Sequence, residues 1–374
     1  MTEGEGAGEP GNGKTGMERA LAGALAEKGR ITFRDFMEMM LYHPELGYYN
    51  REKPVVGRAG DFFTCPSHSP FFGFALAEYV RRAWVEAGRS PEFTVLEMGG
   101  GEGHLAESLL ERWVATIEAG GDGGTGGPKL RYIIVETSPA RRGAQARRLA
   151  KVPSPVEWRT LEDLSPFRGV VIANELFDAL PVHVVEMSAD GLLEIYVTGE
   201  PGGGLRETPG PLSTEELGLS LAGISLPQGG RTQAAPAGRE IVRALGRCLL
   251  RGKILVIDYG APSPERHLSS RYGLRTFFQQ WRTDNPFVRL GKQDITADVD
   301  FTALEGWAKE AGFRVTGYQE QGDFLLDLGL EEEMERLQGL ARTNPVAGME
   351  LGKIVQLVSP FGLGEMFKVL ELAK

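Results

Sequence analysis

Thr94-Val-Leu-Glu-Met-Gly-Gly-Gly-Glu-Gly-His-Leu105 reads as an apolar β-prone run ending in an acid, then four glycines in five positions, then the start of a helix. Together these form a cradle for a nucleotide-like ligand, because glycine lets the backbone turn sharply and approach the ligand without a Cβ in the way. Two spacings overlap here. Gly101-x-Gly103-x-x-Ala106 fits a dinucleotide site, whereas Glu97-x-Gly99-x-Gly101-x-Gly103 adds an acid at the strand end. That acid favours a ligand with positive charge and opposes one with phosphates. A second run, Lys129-Leu-Arg-Tyr-Ile-Ile-Val-Glu136, ends in an acid suited to two ribose hydroxyls. A dinucleotide fold expects such an acid about 20 residues after the glycines. Here it lies 33 residues beyond Gly103, with the glycine-rich insert 118–128 able to account for the excess. The glycines alone leave both ligands open.

Composition narrows the partners. At 374 residues, 41% hydrophobic and 25% charged, the chain has the make-up of a soluble globular protein with a large core. A net charge of −10 argues against nucleic acid and suits a basic peptide or protein. Cys65 and Cys248 stand alone, and the histidines at 43, 68, 104, 183 and 267 lack ligand spacing, so neither a disulfide nor a metal site is expected. No apolar run reaches the length of a membrane span. The first 16 residues, rich in Gly and Glu, read as a disordered tail without the marks of a targeting signal, and a cytoplasmic location is expected.

Residues 17–92 are read as an N-terminal helical region, with helices over 17–26, 32–41 and 71–87 and Thr32 capping the second. Their aromatics offer a surface for a homodimer. Residues 93–181 alternate strand and helix: strands at 93–98, 130–136, 156–159 and 170–174, and helices at 103–115 and 138–150, the latter started by Ser138-Pro139. Such alternation implies an α/β fold with a doubly wound, Rossmann-like parallel sheet. Residues 182–237 read as an inserted β-ribbon followed by loops, covering the site. Residues 238–374 resume the core with C-terminal helices, and 275–298 is expected to be irregular. Thr302-x-x-Glu305 fits a capping box for the helix over 301–311.

Ligands on such a sheet sit beyond the carboxyl ends of the strands, which gathers Gly99–Gly103, Glu136, Glu162 and Asn174–Asp178 on one rim. Asn174-Glu-Leu-Phe-Asp-Ala-Leu-Pro181 delivers two carboxylates there. Glu175 and Asp178 suit a guanidinium, which stays protonated in proteins; the plainer alternative is a helix N-terminus capped by Asn174. Gly60-Asp61-Phe-Phe-Thr64 offers a carboxylate and a hydroxyl on a loop, or else a packed turn. Gln293–Asp300, with three acids in eight residues, reads as a capping loop or as a cover over a substrate channel.

These segments together resemble the MidA-like family of class I S-adenosylmethionine-dependent methyltransferases. The resemblance rests on His43-Pro-x-x-Gly47-Tyr-Tyr49, Gly60-Asp-Phe-x-Thr64, Glu97-x-Gly-x-Gly101, Asn174-Glu-x-Phe-Asp-Ala-Leu-Pro181, Asp258-Tyr-Gly260, Gln293-Asp-Ile-Thr-x-x-Val-Asp-Phe301 and Gly364-Glu-x-Phe-Lys-Val-Leu370. It covers the chain from about residue 17 onward. It implies S-adenosylmethionine as cofactor, held by Glu97, Gly99, Gly101, Gly103, Glu136, Glu162, Asn174 and Thr64, with Glu175, Asp178 and Asp61 as catalytic groups. It also implies methylation of an arginine on a protein substrate, since mitochondrial members are complex I assembly factors that modify a complex I subunit. The chain departs from the family at Gly100, usually proline; at Glu102, often arginine or asparagine; and at Cys65-Pro66-Ser67, usually Ser-Pro-Glu. An assembly factor with little or no catalysis is the alternative those departures suggest. A nicotinamide-dependent oxidoreductase rests on Gly101–Ala106 alone.

Overall fold

In a computed structural model, which describes residues 15–51, 64–120, 127–202, 204–263 and 273–374, the run ending in Glu97 lies in the middle of the main sheet. We label its long strands β1 (Glu92–Met98), β2 (Lys129–Val135), β3 (Val156–Arg159), β4 (Phe167–Asn174), β5 (Leu249–Ala261), β6 (Arg314–Glu320) and β7 (Phe367–Ala373). Their order is β6-β7-β5-β4-β1-β2-β3. The first five run parallel, and β7 is antiparallel to both its neighbours. The runs Val170–Ala173 and Ile254–Ile257 are almost wholly buried, as strands covered on both faces must be. The chain winds outward from β1 to β3 and then crosses back to β4 and β5. The crevice therefore opens between the ends of β1 and β4, at Met98 and Asn174.

The main helices are α1 (Gly16–Lys28), α2 (Phe33–Tyr42), α3 (Pro70–Glu86), α4 (His104–Glu118), α5 (Pro139–Leu149), α6 (Ala237–Cys248) and α7 (Phe301–Glu310). On one face Leu76 of α3 and Leu109 of α4 pack with Val95 and the C-terminal Ile354 and Leu357. On the other, Val242 and Leu245 of α6 and Leu304 of α7 pack with Leu96, Val171 and Val256. The fold is thus doubly wound, as the alternation implied. Thr32 and Ser138 cap α2 and α5 by accepting the amides of Asp35 (3.0 Å) and Arg141 (3.3 Å).

A third core joins Phe33, Phe36 and Met37 of α2 to Val184 and Ile195 of the ribbon and to Ile295. Phe33 and Phe36 of α2 are fully buried inside the chain. The ribbon strands, His183–Ser188 and Gly191–Gly199, belong to a five-stranded sheet with Ile31–Thr32, Leu205–Gly210 and Arg231–Ala234, where loops were expected after the ribbon. The 275–298 stretch is likewise not irregular. Leu274–Phe278, Trp281–Thr283 and Asp294–Ala297 form a three-stranded antiparallel sheet. The cap of α7 is Asp300, whose carboxylate accepts the Ala303 amide at 3.0 Å. Thr302, expected in that role, instead accepts the Ser263 amide (2.9 Å).

Candidate active site

Beyond the ends of β1 and β4 lies a cavity of about 350 Å³. Its floor is the glycine turn. Gly99, Gly101 and Gly103 take φ of 67°, 52° and 84°, left-handed values that glycine adopts at little cost. A Cβ on Gly101 would meet no atom within 4 Å, because it would point into the cavity. Helix α5 braces the turn from behind: Gln145 and Arg148 donate to the Gly101 and Glu102 carbonyls, each at 2.9 Å.

The carboxylates of this half are arranged to hold hydroxyls and cations. Glu97, buried under the turn, accepts the Tyr132 hydroxyl at 2.8 Å; burial, then the nearby Glu136, push its pKa up to about 7. Glu136 accepts from the Ser138 amide (2.9 Å) and Gln145 (3.2 Å), and burial raises its pKa despite those bonds. Glu102, the departure from the family pattern, is ion-paired at 3.0 Å with Arg141, which is almost wholly buried and also donates to the Arg51 carbonyl. Its charge is thus neutralised within the chain.

The other half of the cavity is built around the end of β4. Asn174–Asp178 is a turn, not a helix start, and Glu175 takes φ of 51°. Asp258 at the end of β5 makes that turn possible: one of its oxygens receives the amides of Leu176 (3.2 Å), Phe177 (2.9 Å) and Asp178 (3.4 Å). Glu175 receives the Asn174 side-chain amide (3.1 Å) and the Cys65 backbone amide. Burial, then the charge of Asp178, push its pKa up to about 8. Asp178 is held well above the carboxylate range by burial and by Asp258 and Asp294, against the pull of Arg275. Tyr42 and Tyr49 stack at 5.4 Å and donate to the Ala179 carbonyl (2.9 Å) and to Asp294 (2.8 Å). Three buried atoms here, Asn174 Oδ1, Asp178 Oδ1 and Thr296 Oγ1, have no partner among the described residues.

Among the expected site residues, the structure brings Glu97, Gly99, Gly101, Glu136, Asn174, Glu175, Asp178 and Thr64 to the cavity wall. Gly103 sits just behind it as the N-cap of α4. Glu162 does not reach it: it lies exposed in the turn after β3, where the chain closes on itself through the Thr160–Asp163 hydrogen bond (2.9 Å). Asp61 falls outside the described residues. Residues 182–237 supply none of the lining side chains, and the described cover comes from Tyr42, Tyr49, Phe277, Gln280, Asp294 and Thr296. Most of these lay in segments whose role depends on distant pairing; Asp294 and Thr296 were signalled by the 293–300 acids alone. The Cys65–Ser67 departure is also accommodated. Ser67 completes a reciprocal cap with Thr64, its hydroxyl accepting the Thr64 amide at 2.9 Å while Thr64 Oγ1 accepts the Ser67 amide at 3.3 Å.

Residues 75–319 match the Methyltransf_28 family of S-adenosyl-L-methionine-dependent methyltransferases. The chain belongs to this methyltransferase family. A Burkholderia thailandensis protein of known structure, bound to S-adenosyl-homocysteine, is 31% identical and superposes with a TM-score of 0.83 over 96% of this chain and 92% of its own. The mitochondrial protein arginine methyltransferase NDUFAF7 of Homo sapiens is 27% identical over 96% of this chain and 84% of its own, and the NDUFAF7 homologue of Drosophila melanogaster 28% over 96% and 85%. The methyltransferase uses S-adenosylmethionine, which agrees with a glycine turn whose cavity is lined by Glu97 and Glu136. The expected cytoplasmic location is overturned by these curated relatives, which are mitochondrial proteins. Among the described residues no helix is long and apolar enough to cross a membrane.

Proposed function

We propose that this methyltransferase modifies an arginine of a partner protein, with Glu175 and Asp178 holding the guanidinium. The observation that carries the reading is the wall formed by Glu175, Asp178 and Asp294 with Asn174 Oδ1, Asp178 Oδ1 and Thr296 Oγ1, which have no partner among the described residues. Buried acceptors without partners are costly, and a guanidinium offers five N–H donors and a fixed charge to satisfy them. A neutral hydroxyl substrate would offer this wall one donor and no charge. The curated relatives named as arginine methyltransferases support the same substrate class. The family resemblance adds a complex I subunit as the candidate partner.

Glu97, Gly99, Gly101, Glu136, Asn174 and Thr64 are the proposed cofactor contacts, with Gly103 shaping the turn. The bound cofactor supplies an electrophilic methyl group. The chain's own part is to hold one guanidinium nitrogen in line, in a cavity walled by Tyr42 and Tyr49, where fixed carboxylates act more strongly than in water. As the nitrogen–carbon bond forms and the carbon–sulfur bond breaks, the nitrogen gives up one proton. Glu175, once the bound guanidinium has let it ionise, is placed to take it. The test is mass spectrometry of a captured partner after incubation with S-adenosylmethionine. An arginine heavier by methyl groups is expected with the native chain, and at least a hundredfold less product with Glu175→Gln at unchanged cofactor affinity. Capture with no modified arginine would sink the reading.

A further inference from the structure

We propose that Gln280 reads the substrate polypeptide beside its target arginine by hydrogen-bonding main-chain groups at the mouth of the cavity. The strands Leu274–Phe278 and Trp281–Thr283 pair through Phe278 and Trp281, leaving Gln279 and Gln280 as a two-residue hairpin turn. Both have positive φ, 48° and 67°, the geometry of a turn that favours Asn-Gly. Glycine would satisfy this backbone with less strain, so what the side chains gain must lie elsewhere. Gln280 is exposed and also lines the cavity, whereas Gln279 is exposed and does not.

The same sheet face leads inward. Phe277 stands opposite Asp294 in the register, and Thr296 follows two residues on, so all three line the cavity from the rim toward the acids. A long arginine side chain laid along this face would pass the Phe277 ring with its methylenes and bring its guanidinium to the carboxylates, leaving its own backbone at the turn. The Gln280 amide carries a donor and an acceptor, matching a peptide C=O and N–H, and adds no charge. It makes no side-chain hydrogen bond among the described residues.

This proposal rests on the arginine reading above, and the experiment separates the two. The intact protein, loaded with S-adenosyl-homocysteine, is titrated with n-butylguanidine, which carries the arginine side chain without peptide groups, and with acetyl-Gly-Gly-Arg-Gly-Gly-amide. The pentapeptide is expected to bind about tenfold more tightly, equivalent to about 1.4 kcal/mol. Gln280→Gly, which relieves the backbone, should keep the fold and the affinity for n-butylguanidine while cutting the pentapeptide advantage below threefold. Gln279→Gly should leave the advantage intact. Equal affinities for the two probes, or an advantage that survives Gln280→Gly, overturns the assignment of Gln280 alone. Binding of neither probe overturns the arginine reading and the assignment of Gln280 with it.

Discussion

Glu102 puts a carboxylate beside the cofactor turn, and Arg141 answers it at 3.0 Å with both groups largely out of water. Breaking one side of such a pair leaves a buried charge without compensation, at a cost of about 3–5 kcal/mol, whereas replacing both is often close to neutral. Arg141→Met should therefore lower thermal stability sharply, and Glu102→Gln with Arg141→Met should recover most of it. A double-mutant cycle by denaturant unfolding checks this; additive losses would show that the pair is not coupled. Gly101 is the second position where one residue decides. A valine there would project into the cavity at φ 52°, so it is doubly unwelcome. Gly101→Val should lose S-adenosylmethionine binding by at least a hundredfold in a calorimetric titration. Its backbone strain should add about 1–3 kcal/mol of destabilisation.

At the scale of elements, the α7 cap separates two sequence rules. Asp300 bonds the first turn, and Thr302 is turned toward Ser263. Asp300→Ala should cost about 0.5–2 kcal/mol in unfolding free energy, the usual loss on removing a cap. Thr302→Ala should cost less, and a reversal of that order would return the cap to Thr302. The same contrast explains what the sequence disclosed. The cradle, β1 to β4 and the α2 and α5 caps were legible because their signals are local: an apolar run, a glycine cluster, Ser-Pro at a helix start. The strands at Leu205–Gly210 and Arg231–Ala234 were not, since their pairing partners lie elsewhere in the chain and their composition is that of loops. The three-stranded sheet that carries Phe277, Asp294 and Thr296 was hidden for the same reason. So was the task of Asp258, whose carboxylate binds amides 80 to 82 residues away.

Across the whole molecule, the active-site acids set how stability depends on pH. Glu97 and Glu175 have folded-state pKa values of about 7 and about 8, against 4.5 for an unperturbed glutamate. The folded chain therefore binds these protons more tightly than the unfolded chain. Their contribution to stability is complete below about pH 4.5 and is lost as pH rises through those values, by at most about 1.4 kcal/mol per pH unit for each group. Other groups act in different windows. Glu78, Glu157 and Glu333, drawn down chiefly by arginine partners, weaken the fold only as pH falls below the usual glutamate range. His68 and His104, lowered by burial, oppose folding only below about 6.5. Between pH 7 and 8.5 the acids of the cavity are left to dominate. The melting temperature of the ligand-free protein should fall across that interval, and Glu175→Gln should melt several degrees higher at pH 8.5 with a flatter profile. A guanidinium seated on this wall would supply the missing charge and let Glu175 ionise. The same variant that gains stability should then lose methyl transfer, because the strain of holding acids together without a cation is the binding site itself. A Glu175→Gln protein no more stable than the native chain at pH 8.5 would show that Glu175 carries no such strain.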